Sequence, residues 1–350
     1  MRTRLVPLAV ALLLASGCAV ADRTTTATPS FQEGASAVPS VSVSASPSPA
    51  PSATEEEATE TKTTVAPYVD IVSSAVDIAA IHKATGQSDF VVAFVTANKA
   101  GTCTPAWDGA TALTDAAVKA RLTKIDALGG DVIVATGGAT GTYLETACGT
   151  SAALATAYAK ALDVAGSNHL DVDIEREVDT ATVTAALAKL QESRDTAITL
   201  TLPVADGAGG LAADGLELLR SVEKAGLTVT VNAMTMNFRA DGDWGTAMAA
   251  ATEAVHDDLA GIWTGLSDAE VYAMLGVTPM IGVNDTGPVT EVSDAKTLLA
   301  YAEKKGLAFI RFWSVNRDNG GCADGSLSST CSGVDQSDYA FTKLFATYAD

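Results

Sequence analysis

The sequence is poor in histidine, in basic residues and in long hydrophobic runs. Its 350 residues include 3 His, and 22 Lys and Arg stand against 42 Asp and Glu, which gives a net charge of −20. Phosphate backbones and anionic lipid surfaces repel such a protein, so the charge argues against a nucleic-acid partner and against electrostatic docking to a membrane. The charge suits a neutral ligand or substrate better than an anionic one.

The apolar run near the amino terminus covers residues 5–14 and is too short to span a bilayer comfortably. Two arginines precede it, as is typical of a signal peptide. Residues 14–18 read Leu-Ala-Ser-Gly-Cys and resemble a bacterial lipoprotein signal, with Ala15 where Leu is usual. We therefore expect a signal peptide over 1–18 and a lipid on Cys18, which would tie an exported protein to the outer face of the cell membrane. The alternative is a plain signal peptide that is cut nearby and leaves a freely secreted protein.

The stretch from 19 to 64 is dominated by Ser, Thr, Ala and Pro, with an acidic patch at 55–60. Such a composition cannot bury a core, so we expect a disordered linker. The remaining 65–350 is long enough for one large domain, and we expect it to be a single monomeric domain.

The five cysteines support export. If Cys18 carries lipid, four remain, an even number that permits two disulfides in an oxidising compartment. Four cysteines allow three pairings. We favour Cys322–Cys331, which closes a short Gly/Ser loop, and Cys103–Cys148, which would tie two loops that follow successive strands. A zinc site is the alternative, but no Cys-x-x-Cys pair is present and His is scarce; we expect no metal and no cofactor.

Apolar strand-like runs alternate with longer, Ala-rich amphipathic segments. Eight strands alternating with helices predict an α/β fold with a parallel sheet, and eight is the number that closes into a (β/α)8 TIM barrel. A doubly wound open sheet is the alternative, but no Gly-x-Gly-x-x-Gly follows the first strand. The strand candidates are Tyr68–Ile71, Phe90–Thr96, Val132–Thr136, Leu170–Glu175, Ile198–Pro203, Val229–Met236, Pro279–Asn284 and Ala308–Ser314. The helix candidates are Leu113–Leu128, Ala152–Ala165, Ala181–Ser193, Leu216–Ala225, Gly245–Leu259, Ala295–Lys304 and Ser337–Tyr348.

Three acids, Asp171, Asp173 and Glu175, occupy alternate positions of the fourth strand candidate, and we call them the acid row. Residues i, i+2 and i+4 of a strand share a face, so neighbours in the row lie about 6–7 Å apart. Like charges this close cannot all ionise freely, so at least one acid should hold a proton near neutral pH. A protonated carboxyl beside a carboxylate is suited to general acid catalysis. An ordinary solvated face is the alternative, although the inner face of a barrel strand is not solvated except at its carboxyl end.

Other unusual residues also fall at predicted strand ends. A parallel barrel has its active site at the carboxyl ends of its strands, so these residues together predict a binding cleft. Core packing would explain each Met and Trp taken singly. Trp313 would offer a flat apolar face to a sugar ring. Trp107 and Trp244 would extend that face, unless they are merely pinned loop hydrophobes. The candidate binding residues are Gly138, Met234, Met236, Asn237, Asn284 and Trp313.

Several of these motifs resemble glycoside hydrolase family 18, the chitinases and related endo-β-N-acetylglucosaminidases. The family signature Asp-Gly-x-Asp-x-Asp-x-Glu appears at 168–175 as Asn-His-Leu-Asp-Val-Asp-Ile-Glu, with the three acids kept. Its Ser-x-Gly-Gly appears at 135–138 as Ala-Thr-Gly-Gly, and its Met-x-Tyr-Asp at 234–237 as Met-Thr-Met-Asn. The terminal Trp of strand eight is matched by Trp313. The resemblance covers roughly 65–350 and is closest to the bacterial and archaeal branch with Met in the Tyr position, which 278–285 and 312–318 also resemble.

The resemblance implies substrate-assisted, retaining hydrolysis of chitin or N-acetylglucosamine oligosaccharides. Glu175 would protonate the glycosidic oxygen, and the substrate's own N-acetyl oxygen would be the nucleophile. Asp173 would orient that acetamide, and Asp171 would share a proton with Asp173. Asn237 and Met236 replace a carboxylate and a hydroxyl of the family, so we expect activity to survive in weakened form.

Two alternatives remain open at this level. Within enzymes, the chain could cleave the chitobiose core of N-glycans, because loop shape decides which substrate fits. Outside enzymes, it could be a carbohydrate-binding protein on the same barrel. Family members that became lectins generally lost the acid at the position of Glu175, which this chain retains.

Overall fold

The structure is a computed structural model that describes residues 64–349. The predictions of a signal peptide over 1–18, of lipid on Cys18 and of a linker up to residue 64 concern residues that lie, except for Thr64, outside the described part of the chain. No helix within 64–349 is long and apolar enough to cross a membrane.

Thirteen strands lie within the described residues. In chain order they are β1 (Thr64–Val65), β2 (Tyr68–Asp70), β3 (Phe90–Ala97), β4 (Pro105–Trp107), β5 (Thr111–Ala112), β6 (Val132–Gly137), β7 (His169–Asp173), β8 (Ala197–Pro203), β9 (Thr230–Met234), β10 (Leu275–Val277), β11 (Gly282–Val283), β12 (Val289–Thr290) and β13 (Phe309–Ile310).

Eight of these strands form a closed parallel barrel. β2, β3, β6, β7, β8, β9, β10 and β13 pair in that order. The ring closes because β1 pairs with β13 and leads into β2, where the Tyr68 N–H donates to the carbonyl of Phe312 at 3.0 Å. The predicted (β/α)8 barrel is therefore confirmed. β4 and β5 extend β3 in antiparallel fashion, and β11 and β12 form a separate hairpin.

Helices surround the barrel, and several begin at an aspartate whose carboxylate accepts the orphan N–H groups of the first turn, as at Asp77, Asp115, Asp179 and Asp243. The seven predicted helices are present with shifted ends, and three further helices, Ile78–Thr85, Leu144–Ala147 and Asp268–Met274, were not predicted. The helices are α1 (Ile78–Thr85), α2 (Ala116–Ala127), α3 (Leu144–Ala147), α4 (Ser151–Ala165), α5 (Thr180–Arg194), α6 (Ala213–Lys224), α7 (Trp244–Ile262), α8 (Asp268–Met274), α9 (Val292–Lys305) and α10 (Ala340–Phe345).

The prediction of the seventh barrel strand at Pro279–Asn284 was only partly correct: the strand starts earlier, and its parallel pairing with the last strand continues as far as Met280, which pairs with Trp313. The barrel strand is β10 at Leu275–Val277, and part of the predicted segment turns away as β11. Both lie in one long apolar stretch, and hydrophobicity alone does not show where in such a stretch the ladder runs. Gly276 lets β10 pack closely against β13. A Cβ on Gly276 would lie 2.1 Å from the ring of Phe309, so a side chain does not fit at this position.

The alternation along β7 sends its side chains to two different environments. Leu170 and Val172 face outward into the main hydrophobic core between the barrel and its helices. Asp171 and Asp173 face the barrel interior, and both are buried. The period of two in the sequence therefore places two carboxyl groups inside the barrel wall.

Candidate active site

The acid row runs from the barrel interior to the carboxyl mouth of the barrel. β7 ends at Asp173, and Glu175 follows two residues later and is partly exposed. A cavity of about 320 Å³ opens there. Its lining residues are Tyr68, Asp70, Ala93, Phe94, Thr96, Asp108, Gly137, Ala139, Thr140, Asp173, Glu175, Thr201, Met234, Met236, Asn237, Thr278, Asp285 and Trp313.

Asp171, the deepest acid, is surrounded by hydrogen-bond donors. Its Oδ2 accepts from the Tyr68 hydroxyl at 2.6 Å, and its Oδ1 accepts from the Thr201 hydroxyl at 2.6 Å. Arg311 donates from Nη1 to the same Oδ1 at 3.2 Å. Burial raises the pKa of Asp171, while Arg311 is the strongest influence that lowers it, followed by the hydrogen bonds from Thr201 and Tyr68. We call these four residues the inner network.

Asp173, the middle acid, lies in the opposite situation. It is 4% exposed, and among residues 64–349 nothing hydrogen-bonds to its Oδ1. Burial raises the pKa of Asp173 well above its usual range, and the charges of Glu175, Asp171 and Glu145 raise it further. Within the described chain no hydrogen bond joins Asp171 to Asp173, so the proton sharing that the resemblance implies has no direct contact here. The geometry favours a neutral, protonated Asp173.

Glu175 is held by its backbone and leaves its carboxyl facing the cavity. Its N–H donates to the Tyr143 hydroxyl at 3.1 Å, and that hydroxyl donates to the carbonyl of Gly138 at 2.8 Å. The guanidinium of Arg176 lies 4.3 Å from the centre of the Tyr143 ring and donates to the carbonyl of Ala139 at 2.8 Å. Burial raises the pKa of Glu175, and Arg176 lowers it. A carboxyl with a raised pKa at a cavity wall is equipped to donate a proton.

The Gly137-Gly138 pair brings β6 into close contact with its neighbours. Both residues have positive φ, at +84° and +85°. A Cβ on Gly137 would lie 1.9 Å from the carbonyl oxygen of Asp173, and one on Gly138 would lie 2.9 Å from the ring of Phe94. Any side chain here would displace Asp173 or Phe94, which explains why glycine is needed twice.

Aromatic and methionine side chains form the apolar part of the cavity wall. The ring of Phe94 stacks on Trp313 at 5.5 Å between centroids and 23° between planes, and Tyr68 lies 6.0 Å from Trp313. Met234 and Met236 pack against Trp313 as well. These side chains form a broad apolar surface beside the carboxyl groups, which suits the face of a sugar ring.

Asn237 ties the end of β9 to the loop that follows β11. It has a φ of +61°, a conformation that asparagine tolerates better than most residues. Its Oδ1 accepts from the N–H of Asp285 at 3.0 Å, and its Nδ2 donates to Asp285 Oδ2 at 3.2 Å. Its own N–H donates to Asn284 Oδ1 at 3.2 Å. Asn237 therefore places the carboxylate of Asp285 in the cavity wall, where it raises the pKa of Glu175.

The structure corrects two of the predicted binding residues. Gly138 does not line the cavity, although Gly137 does. Asn284 is buried, and its amide donates to the carbonyls of Met280 and Gly282, both at 3.0 Å. It shapes the β11–β12 turn and leaves Asp285 to face the cavity.

Trp107 and Trp244, which were predicted to lie in loops, end β4 and begin α7, and neither lines the cavity. Trp107 is fully buried, and its indole N–H donates to the carbonyl of Leu113 at 3.3 Å. Trp244 donates to Thr290 Oγ1 at 2.9 Å and packs on Phe238. Both tryptophans therefore have a packing role, which was the alternative interpretation. Trp313, Met234, Met236 and Asn237 do line the cavity, as predicted.

Sequence reasoning missed several residues of the site. Phe94 lies inside a long apolar strand whose pattern does not distinguish the cavity side from the core side. Asp70 and Asp108 line the cavity from β2 and from the turn after β4, and no spacing marks them. Tyr68 and Arg311 both hydrogen-bond to Asp171, although they lie 103 and 140 residues from it in the sequence. Only the closure of the barrel brings them together.

Both favoured disulfides are present. Cys103–Cys148 joins the turn between β3 and β4 to the end of α3, with 4.7 Å between Cα atoms. Cys322–Cys331 closes a short loop in the segment between β13 and α10, with 5.9 Å between Cα atoms. The first disulfide holds the two loops that flank the cavity side of β3 and β6.

No family model matches the chain. It is 32% identical to a probable bifunctional chitinase/lysozyme of Escherichia coli strain K12, over 82% of this chain and 34% of that protein. It is 31% identical to endochitinase 11 of Metarhizium anisopliae, over 73% of this chain and 53% of that protein. The chain thus spans about a third and about half of the lengths of these two relatives.

A solved structure is matched over nearly its full length. The catalytic domain of a hyperthermophilic chitinase from Pyrococcus furiosus is 33% identical, with a TM-score of 0.75. The match covers 82% of this chain and 95% of that one. Catalytic-site mutants of the active domain 2 of a thermostable chitinase from the same organism have been solved with chito-oligosaccharides, at the same identity.

Proposed function

Because the chain belongs to glycoside hydrolase family 18, we propose that it hydrolyses β-1,4-linked N-acetylglucosamine polymers, chitin or its oligosaccharides. One observation carries the proposal: the acid row ends at the barrel mouth, in a cavity whose apolar wall is a stacked pair of aromatic rings. A carboxyl that can donate a proton and a surface for a sugar ring therefore meet at one place. The relatives reported above at 31–33% identity, two named as chitinases and one as a probable bifunctional chitinase/lysozyme, support the choice of sugar.

Glu175 is the general acid and base of the proposed reaction. Burial raises the pKa of its carboxyl, which favours retention of the proton that the leaving oxygen needs. The Tyr143 hydroxyl holds the backbone N–H of Glu175, and the carboxyl of Glu175 is left to face the cavity. After the first step the carboxylate takes a proton from the attacking water.

Asp173 orients the N-acetyl group of the sugar, whose carbonyl oxygen attacks the anomeric carbon and displaces the leaving sugar with inversion. Water then opens the cyclic intermediate with a second inversion, so the product keeps the original anomeric configuration. The carboxyl of Asp173 has an Oδ1 without a partner among residues 64–349, so it can contact the acetamide N–H without first breaking a bond to the protein. Asp171 stays deeper in the barrel and does not line the cavity.

A panel of substrates tests this proposal. We expect release of N-acetylglucosamine oligosaccharides from chitin oligomers and no cleavage of a high-mannose glycoprotein. Cleavage of the glycoprotein alone would instead make the chain an endo-β-N-acetylglucosaminidase. Binding of chitin oligomers with no product at any pH would make it a carbohydrate-binding protein.

The nucleophile needs a separate test, because Asp70, Asp108 and Asp285 bring further carboxylates to the cavity. If the acetamide attacks, a substrate that lacks the N-acetyl group on the sugar at the cleavage site is not cleaved. A thiazoline analogue of the cyclic intermediate should then bind tightly, and the first product should keep its anomeric configuration. A covalent sugar ester trapped on Asp173 or Asp285 would show an ordinary two-carboxylate mechanism instead.

We further propose that residues 1–18 direct export and that Cys18 carries lipid, so that a monomeric enzyme works at the outer face of the cell membrane. The two disulfides support an oxidising compartment. One acyl chain holds a protein only marginally, so stable retention needs more than one. The intact mass of the native amino terminus tests this, and Cys18→Ala should release the protein or block its processing. An unmodified terminus beyond Cys18 would leave a freely secreted enzyme.

A further inference from the structure

Arg311 is a charged residue buried inside the barrel, and the reaction described so far gives it no role. It is 1% exposed and follows β13 directly. Its guanidinium lies 4.0 Å from the ring centre of Phe309. Burying a cation costs free energy unless a partner offsets it. The partner is Asp171, which is fully buried too.

Every partner of Asp171 donates a hydrogen bond to it. Tyr68, Thr201 and Arg311 together direct three donors at its two oxygens. Asn232 donates to both Tyr68 and Thr201, at 3.1 and 3.0 Å, so those hydroxyl protons are turned toward Asp171. A carboxylate matches three donors, whereas a protonated carboxyl would bring a fourth proton without an acceptor.

A second set of hydrogen bonds, deeper in the barrel, holds Arg311 in place. Its Nη2 donates to Thr199 Oγ1 at 3.3 Å. That hydroxyl also contacts His169 Nε2 and Thr230 Oγ1, each at 2.9 Å. Burial lowers the pKa of His169 to about 3, so the imidazole is neutral and adds no competing charge. Arg311 is therefore the cation that compensates the inner end of the acid row.

We propose that Arg311 is a positioning residue for the hydrolysis: its guanidinium keeps Asp171 as the permanent anion of the row and thereby leaves the proton on Asp173. The proton then sits beside Glu175, on the only member of the row that both lines the cavity and is almost fully buried. This inference rests on the proposed hydrolysis. It replaces an even sharing of the proton between two aspartates with a fixed assignment.

The charged groups around the row agree with this assignment. Asp171 faces Arg311 and Tyr68 across the barrel, and Asp173 faces Glu175 and Asp171 along β7. Glu145 acts on Asp173 from α3, and it accepts hydrogen bonds from Thr136 and Tyr158 on the far side of the β6 wall. Arg176 and Asp285 act on Glu175 at the mouth. Arg311 is thus the cation that acts on the inner end, and Asp173 has acidic neighbours alone.

The first test does not depend on activity. Aspartate labelled with ¹³C keeps Glu145 and Glu175 silent, and infrared difference spectra at mildly acidic pH then report protonated aspartates. We expect a buried protonated carboxyl that persists in Asp171→Asn and disappears in Asp173→Asn. We expect Arg311→Met to add a second protonated carboxyl, which Arg311→Lys does not add. Loss of the wild-type signal in Asp171→Asn, or no new signal in Arg311→Met, would overturn the proposal.

The second test uses kinetics on chitin oligomers. Arg311→Met should reduce kcat about 10- to 100-fold, the size expected when a reacting group is misplaced, with KM nearly unchanged. Its alkaline limit of activity should move to lower pH, because a neutral Asp171 no longer holds the proton on Asp173, and Arg311→Lys should restore the wild-type profile. In Asp171→Asn the same Arg311→Met change should have little further effect, and this double variant removes both buried charges if Arg311→Met alone fails to fold. Additive losses would show that Arg311 only packs.

A wild-type protein that cleaves no N-acetylglucosaminide would instead contradict the proposed function. The infrared test of Arg311 would remain valid in that case, because it does not depend on activity.

Discussion

Two ends of a single strand contrast within a few residues. At the inner end, Asp171 has three donors and an arginine around it, and its charge is compensated. At the mouth, Asp173 has an oxygen with no partner in the described chain, and Glu175 makes its hydrogen bond through the backbone alone. The acid row, which runs along β7 and just beyond its end, thus holds one acid that the protein satisfies and two that are left to the substrate. A carboxyl group that the protein leaves unsatisfied is available to a substrate.

Cavity size does not identify the functional end of the barrel. A larger cavity, of about 710 Å³, lies at the amino end, where His169 begins β7. Asp171, Asp173 and Glu175 are absent from its described lining, and so is Trp313. Of these two cavities within 64–349, the one at the mouth combines perturbed carboxyl groups with an aromatic wall, so chemistry and not volume locates the site.

The largest effect should come from the mouth. Glu175→Gln keeps the shape of the side chain but cannot donate or accept the proton, so chitin-oligomer hydrolysis should fall about 10²- to 10⁴-fold. The unfolding free energy should barely change, because the carboxyl has no hydrogen bond to lose in the described chain. Steady-state kinetics and urea unfolding measure both. Near wild-type turnover would remove Glu175 from the reaction.

Substitutions in the inner network, in contrast to Glu175→Gln, should lower the free energy of unfolding. Tyr68→Phe removes a hydroxyl that donates to Asp171 and accepts from Asn232. Leaving these buried groups with one partner fewer should cost about 1–3 kcal/mol of unfolding free energy. Tyr348→Phe is a matched control, because its hydroxyl makes a hydrogen bond to the carbonyl of Leu307 outside the barrel. Equal losses of unfolding free energy in the two variants would mean that the inner network stabilises the fold no more than a hydrogen bond outside the barrel.

Two tryptophans test the aromatic wall. Trp313→Ala removes the ring that stacks on Phe94 in the cavity, and we expect KM for chitin oligomers to rise about tenfold, or about 1.4 kcal/mol. Trp244→Ala removes a ring of the same size outside the cavity lining and should change stability but not KM. A similar rise in KM for both variants would contradict the assignment of the sugar-binding surface.

The smallest effect should be a change in the pH dependence of stability. Because the pKa of Asp173 is raised, chiefly by burial, the folded protein keeps this proton at pH values where the unfolded chain has lost it. The contribution of Asp173 to stability is therefore full below the ordinary aspartate pKa of about 4. It is lost as the pH rises through the folded pKa.

Asp173→Asn has no proton to lose, so it should gain stability over the wild type as the pH increases from about 4 to 8, by on the order of 1 kcal/mol. The two proteins should converge toward pH 3. Thermal unfolding at several pH values measures this gap, and Asp131→Asn controls for the change in net charge. A gap that is constant with pH would show that Asp173 is not protonated in the folded state.

Residues close together in the sequence were predicted well. The alternation at 170–175 correctly sends Asp171 and Asp173 to the inner face of β7 and the aliphatic residues to the outer core. The terminal positions of Trp313, Met234 and Met236 correctly predict a common cavity wall. Asn284 was misassigned because its neighbour Asp285 faces the cavity, and one residue in a turn reverses the direction of a side chain.

The sequence by itself determined the barrel, the acid row and its orientation, since these depend on a period of two residues and on the alternation of strands with helices. Only the tertiary structure decided which acid has partners. Tyr68, Thr201 and Arg311 come from three other barrel strands or their ends, and hydrogen bonds have a reach of about 3 Å that no sequence spacing encodes. Whether a buried carboxyl holds a charge or a proton depends on those contacts, so the division of roles between Asp171 and Asp173 exists only once the barrel has closed.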